Sequence, residues 1–222
     1  INELETHGVR VERRVELTRV EQTAGGVRTT LRHADGGEEV CETAWLAGCD
    51  GASSAVRHQL GIGFPGGTYT GRFFVADVEA IGPAANGELH VDLEDADFAI
   101  VFPMKGEGRI RLVGLVRGAD GGEADHVTFA DVRGRAVEHL GLDVTRVNWF
   151  STYKVHHRVA DRFRDGRVFL LGDAAHIHSP VGGQGMNTGI GDAVNLAWKL
   201  AEVVSGRAPA SLLDSFEPER IA

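Results

Sequence analysis

The sequence predicts an α/β (α+β) protein in which a partial ligand-binding domain is interrupted by an inserted sheet, mixed or antiparallel. Three observations lead to this reading. First, the apolar run 168–171 enters Gly172-Asp173, and a loop containing Pro180, a glycine-rich turn and a long amphipathic stretch follow. That is the order of a buried strand, a ligand loop and a helix. Second, the apolar run Trp45-Leu46-Ala47 stops at Gly48-Cys49-Asp50-Gly51, a second strand ending in a turn. Third, the residues between these motifs alternate apolar and polar positions over several short runs, which is strand periodicity.

Taken in order, Ile1-Asn2-Glu3-Leu4-Glu5 reads as helix. Residues 8–49 read as a meander, with strands over 8–23, 27–33 and 39–47 turning at Ala24-Gly25-Gly26 and Asp35-Gly36-Gly37. The uniformly apolar 45–47 is expected to be buried on both faces. Ser53 or Ser54 stands where it can cap a short helix through Leu60, and Gly61 suits the C′ position. Strands follow over 72–80, 88–94, 98–104 and 109–117, with Lys105-Gly106-Glu107-Gly108 as a hairpin turn. The spacing of Val132, Ala136, Val137 and Leu140 predicts a helix over 128–140, ended by Gly141, and 144–155 returns to strand. Residues 158–165 read as polar connection and Asp165-Gly166 as a turn into the strand 167–171. A final helix is expected over 184–204, with Val194, Ala197, Leu200, Ala201 and Val204 along one apolar stripe. The expected domains are 1–63 and 158–222, two pieces of one ligand-binding domain, around a substrate-binding sheet at 64–157.

The composition narrows the function classes. Of 222 residues, 42% are hydrophobic and 25% charged, as in a water-soluble globular protein. The net charge of −9 gives no basic balance for nucleic acid or an anionic membrane surface. Cys41 and Cys49 are too few for a disulfide framework, and free thiols in a reducing, cytoplasmic setting are expected. No apolar run approaches the roughly 20 residues that span a bilayer. Both ends read as cut, since Ile1 opens without Met and the last residues open another helix.

The 172–200 segment carries the chemistry. Asp173 follows a buried strand, where a carboxylate can accept two hydrogen bonds from the diol of a ribose or ribityl chain. Gly182, Gly183 and Gly185 remove Cβ atoms where a backbone must approach a planar ring. The amides of about residues 183–187 then open a helix, whose positive dipole end favours a ligand's negative edge. A reduced isoalloxazine has such an edge, so a flavin is the leading ligand; a loop serving only as a turn is the alternative. His176, His178, His156 and His157 have no Asp, Glu or Cys partner at metal spacing, so no metal is expected. His178 could face substrate or pack the loop.

Two motifs carry a resemblance. Gly172-Asp173-Ala174-Ala175-His176, Pro180, Gly182-Gly183-Gln184-Gly185-Met186-Asn187 and the run Asp192 to Leu200 together resemble the second FAD fingerprint of class A flavoprotein monooxygenases. These are the para-hydroxybenzoate hydroxylase-like aromatic hydroxylases. Cys49-Asp50-Gly51 through Arg57 resembles their Asp-Gly motif. The resemblance implies a partial FAD-binding Rossmann-like domain and a monooxygenase that uses FAD and NAD(P)H. Such an enzyme hydroxylates a phenolic or polyketide-like ring with molecular oxygen through a flavin hydroperoxide. It implies roles for Gly172 and Asp173 at ribityl or pyrophosphate-side hydroxyls, with His176 structural beside the cofactor. Pro180 falls at the flavin's reactive edge, Gly185, Met186 and Asn187 on its pyrimidine side, and Gly182, Gly183 and Gln184 also at the cofactor. Asp50, Gly51 and Arg57 fall at the pyrophosphate and pyridine nucleotide, though Arg57 also reads as a solvated or capping arginine. No protein side chain is expected to be a catalytic acid or base, because the oxidising chemistry belongs to the cofactor.

For substrate, Phe74, Phe98, Ile100, Phe102 and Met104 are the expected wall for a small aromatic molecule, with a core face as the alternative. A homodimer is the candidate assembly. The first Gly-x-Gly-x-x-Gly fingerprint of that family is missing, and the expectation is that it lies upstream of Ile1, leaving these 222 residues unable to hold FAD tightly alone. The rival readings are a same-fold reductase or dehydrogenase that does not activate oxygen, and a non-catalytic fragment.

Overall fold

The computed structural model describes residues 1–94, 97–116, 127–178 and 183–221, without the side chains of residues 70, 93, 94, 97, 98 and 135–139. The chain forms two compact units, residues 1–67 with 157–222 and residues 68–156.

In the first unit a short helix α1 (Asn2–Thr6) precedes an antiparallel meander of β1 (Glu16–Gln22), β2 (Val27–Arg32) and β3 (Glu38–Thr43). The first strand was expected from residue 8 but begins at Glu16, which pairs with Arg32, the last residue of β2. Residues before it have no strand to pair with, and Arg14 takes a positive φ of 60° that breaks the extended path. Next, β4 (Leu46–Gly48) leads through the Asp50-Gly51 turn into α2 (Ala55–Gln59). Ser54 caps α2, accepting from the Arg57 amide at 2.9 Å.

β5 (Gly66–Ile81) is the first strand to run on into the second unit. There β6 (His90–Glu94), β7 (Asp97–Pro103) and β8 (Arg109–Val116) follow, then α3 (Phe129–His139) and β9 (Asp143–Val159). The sheet order is β9-β5-β8-β7-β6, and the β5–β8, β8–β7 and β7–β6 pairs are antiparallel. One face of this sheet is the core: Phe74, Ala76, Val78, Val101, Ile110 and Leu112 are buried together, with Phe129 and Val132 of α3 packed against them.

The chain returns to the first unit through β10 (Arg164–Asp165), β11 (Val168–Leu170) and β12 (His176–Ile177). β11 lies between β10 and a parallel β4, so all three of its residues are fully buried. β12 pairs with the last residues of β9. Residues 158–165, expected as plain connection, thus supply the end of one strand and a second short one. The long helix α4 (Gly185–Val204), a 3-10 segment at Ala210–Ser215 and α5 (Phe216–Arg220) complete the unit.

Two burial expectations are corrected. Ala47 is exposed, because β4 is an edge strand with β11 as its one partner in that sheet. The stripe on α4 lies outward: Val194 and Val204 are 64% and 69% exposed, Ala197 and Ala201 are exposed, and Leu200 is half-buried. The face of α4 that packs inward carries Asp192, Leu196 and Lys199, whose charges are paired as described below. Among the described residues no helix is long and apolar enough to cross a membrane.

Candidate functional site

The site grows from the end of β11. Leu170 hands the chain to Leu171 and then to Gly172, whose left-handed φ of 57° turns it into a 3-10 segment at Gly172–Ala174. Gly172 also lies so near α4 that a Cβ on Gly189 would sit 3.3 Å from its Cα, which makes glycine the residue that allows this approach. Together with the turn after β4, the segment borders an open cleft of about 670 Å³. Cys49, Gly51, Leu171, Gly172, Asp173 and His178 line it from the loops, and Gly185, Met186, Gly189, Ile190 and Ala193 from α4.

Of the expected residues, Gly51, Gly172, Asp173, Gly185 and Met186 meet in this cleft. Gly183, Gln184 and Asn187 stand exposed at the opening of α4, where Gln184 supplies no side-chain cap. The amides of the first turn of a helix lack intrahelical carbonyls, so they are available to a ligand. Pro180 and Gly182 lie outside the described residues. The helix positions Gly189, Ile190 and Ala193 were missed, although they follow Met186 at helical spacing and share its face.

Three expected polar residues are engaged by protein partners, His176 in the structural place expected of it. The Asp50 carboxylate accepts from Ser54 Oγ at 2.5 Å and from the Val56 amide at 3.1 Å, so it caps α2. Arg57 is 2% exposed; it donates to the carbonyls of Ala174 and Ala52, each at 2.8 Å, and lies 3.8 Å over the Phe64 ring. It thereby ties the Asp-Gly turn to the Gly172 loop, while its Nε is buried without a partner. Burial lowers the pKa of this guanidinium, opposed by Asp50. His176 is buried against the Phe163 ring and donates from Nε2 to Asp192 at 2.8 Å.

Asp192 is the polar centre that sequence reasoning passed over. It is fully buried and also accepts from the Gly172 amide at 2.8 Å and from Arg220 Nε at 2.6 Å. Burial pushes its pKa up, but the hydrogen bonds from His176, Gly172 and Arg220 outweigh that and hold it below the usual carboxylate range. The one signal in the sequence was an acidic residue at the start of an otherwise apolar helical run. Next to this centre, burial and the neighbouring His176 push the His178 imidazole below its ordinary pKa, against the pull of Asp173 and Asp192. Cys49 is shifted the other way: burial and then Asp50 raise its thiol.

In the second unit, strand register sorts the expected substrate wall. Val75, Val113 and Ile100 form one cross-strand row, and Asp77, Arg111 and Phe102 the next. These rows share a face, because directly paired residues point the same way. Phe74 pairs with Gly114 on the opposite face and is buried in the core, so it does not stand with Ile100 and Phe102; its neighbour Phe73, stacked on Tyr153, does. Phe98 of β7 pairs with Leu93 of β6, and its side chain lies outside the described residues. Phe102, Pro103, Met104 and Arg111 border a hollow of about 350 Å³. There Arg111 grips Asp77 with two hydrogen bonds, of 2.6 and 2.9 Å, and holds its pKa down. Among the described residues no group of three or more His, Cys, Asp or Glu is arranged to hold a metal ion.

The chain is similar to known proteins over nearly its whole length. It is 41% identical to the dialkyldecalin synthase of Streptomyces rugosporus over 219 residues, 97% of this chain and 46% of that protein. It is 40% identical to the 12-dehydrotetracycline 5-monooxygenase/anhydrotetracycline 6-monooxygenase of Streptomyces rimosus over 225 residues, 96% of this chain and 44% of that one. Among solved structures, the Diels-Alderase PyrE3 of pyrroindomycin biosynthesis matches with a TM-score of 0.78 and 40% identity, over 99% of this chain and 47% of that one. The chain therefore spans about half the length of these relatives. The FAD binding domain family matches residues 1–222. With that match over every residue, and a glycine-lined cleft at the opening of a long helix, the chain belongs to the FAD binding domain family.

Proposed function

We propose that the whole protein is an FAD- and NAD(P)H-dependent monooxygenase that hydroxylates a phenolic or polyketide-like aromatic substrate with molecular oxygen. The observation that carries the reading is the cleft at the start of α4. Its glycines leave the backbone bare to a ring, and its volume of about 670 Å³ is that of a cofactor site. Asp50 and Asp192 are engaged by protein donors, whereas Asp173 faces the cleft and can receive ligand hydroxyls. The residues fit FAD on chemical grounds: a carboxylate for the ribityl diol, free helix amides for the pyrimidine edge, and Met186 and Ile190 for the ring.

In this reading Gly185, Met186 and Asn187 bind the pyrimidine side, Pro180 borders the reactive edge, and Gly51 opens the pyrophosphate side. Asp50 and Arg57 act there by shaping the turn, since both side chains are held by the protein. Bound FAD would supply the redox and oxygen chemistry; the chain's own task is to orient the ring and exclude water. The sheet face of the second unit that carries Ile100, Phe102 and Met104, with Phe73 buried on the same side, is the surface for the aromatic substrate. A cytoplasmic setting belongs to the same proposal.

The test is NAD(P)H oxidation by the full-length protein over a panel of phenols and polycyclic phenols, with labelled oxygen gas. The proposal expects label in the product in step with NAD(P)H consumed. Reduced cofactor consumed without labelled product would point to a reductase. A second reading has its own observation, namely that similar proteins include a dialkyldecalin synthase and a Diels-Alderase. There the flavin would shape a pocket for ring closure, and a polyene substrate would cyclise with no NAD(P)H consumed.

A further inference from the structure

We propose that Asp192 is the positioning residue of the cofactor loop, and that Arg220 of α5 sets it. Its functional consequence rests on the flavin reading above; its structural content does not. Asp192 sits two turns into α4 between Gly191 and Ala193 and is completely buried. A carboxylate in such a place is costly unless donors surround it, and an apolar residue would fill the space more cheaply. Its three donors come from three separate elements: the Gly172 amide of the loop, His176 of β12 and Arg220 of α5. Gly172 and His176 flank Asp173, so both sides of the cleft's carboxylate are pinned to one point on α4. Arg220 also donates to the Thr188 carbonyl at 3.1 Å, gripping α4 one turn before Asp192. A small displacement of α5 therefore reaches Asp173 through two hydrogen bonds. Among the described residues the other α4–α5 hydrogen bonds, from Asn195 and Lys199 to Glu219, lie further along α4 and do not reach Asp192.

The experiment uses the full-length protein and compares Asp192→Asn, Arg220→Met and Arg220→Lys with Glu219→Gln, which weakens the α4–α5 contact without touching Asp192. Two readouts are taken: hydrogen exchange of peptides covering 172–177, and the visible circular dichroism of bound flavin. Arg220→Met is expected to speed exchange in 172–177 about ten-fold, consistent with losing one charge-assisted bond. It should also alter the flavin band, with Arg220→Lys recovering part of both. Asp192→Asn should do more; if it fails to fold, Arg220→Met carries the test. Glu219→Gln should lower the melting temperature and leave 172–177 as in the wild type. Unchanged exchange in Arg220→Met, or the same increase in Glu219→Gln, overturns the proposal. Expected exchange in a wild type that binds no flavin keeps the clamp and removes the flavin reading instead.

Discussion

At Arg57 the guanidinium is engaged by two backbone carbonyls and one aromatic face, and it reaches Ala174, 117 positions further along the chain. Removing it leaves the Ala174 carbonyl without its donor in a buried site and takes the donor from the exposed Ala52 as well. Arg57→Met is therefore expected to cost about 2–4 kcal/mol of folding stability, measured by denaturant unfolding of the whole protein. A loss within about 0.5 kcal/mol, typical of a surface change, would mean that the side chain points elsewhere. Beside the cleft, His178 is expected to stay neutral below the ordinary histidine pKa of 6.5, because burial and His176 both disfavour its charge. An NMR titration of the ring protons reads this directly, and a midpoint above 6.5 would contradict it.

At the scale of elements, the two faces of the second unit's sheet give opposite predictions. Phe74 is enclosed by the core of the second unit and stacks on Phe150, so Phe74→Ala should destabilise the protein by about 3–5 kcal/mol. Phe102 is 40% exposed on the other face, so Phe102→Ala should cost about 1 kcal/mol or less. In the proposed enzyme it should raise KM for the aromatic substrate while leaving kcat close to wild type. The α4–α5 contact has a pH signature. Hydrogen bonds from Asn195, Lys199 and Ser215 push the Glu219 pKa down to about 2, from an ordinary 4.5. Its folded-state pKa lies below the unfolded one, so the unfolded chain takes up the proton first as pH falls. The stability it contributes is complete above about pH 4.5 and is lost between there and about 2. Glu219→Gln should flatten stability against pH across that window in urea melts, and an unchanged slope would mean that Asn195 and Lys199 do not hold Glu219.

These elements also show what a sequence can carry. The strand, loop and helix around Gly172 were legible because local signals agree: a four-residue apolar run, turn glycines and a long helical period. A serine cap at Ser53 or Ser54, which the structure places at Ser54, and the 105–108 hairpin turn were legible for the same reason. Burial was not, because it depends on partners distant in sequence. Val194 and Val204 form a regular apolar stripe yet face outward, while Asp192 and Lys199 face inward because α5 and the Gly172 loop bring them donors and acceptors. Phe73 and Phe74 are adjacent buried rings, and only pairing with β8 decides which face of the sheet each one occupies. In the same way, β5 and β9 run longer than their local patterns, since each continues wherever a neighbour pairs with it.

For the molecule as a whole, the chain divides chemistry between its units. The first carries the glycine-lined cleft and the Asp192 centre; the second carries a sheet face with Ile100, Phe102 and the Asp77–Arg111 pair. The account depends most on the cleft holding FAD through Asp173. The measurement is the flavin content of the full-length protein after purification and gel filtration, wild type against Asp173→Ala, with folding checked by circular dichroism. The account predicts about one FAD per wild-type chain, and affinity weakened about ten-fold or more in the variant, as expected for losing hydrogen bonds to a charged group. A correctly folded Asp173→Ala protein that retains FAD as tightly as the wild type would contradict it.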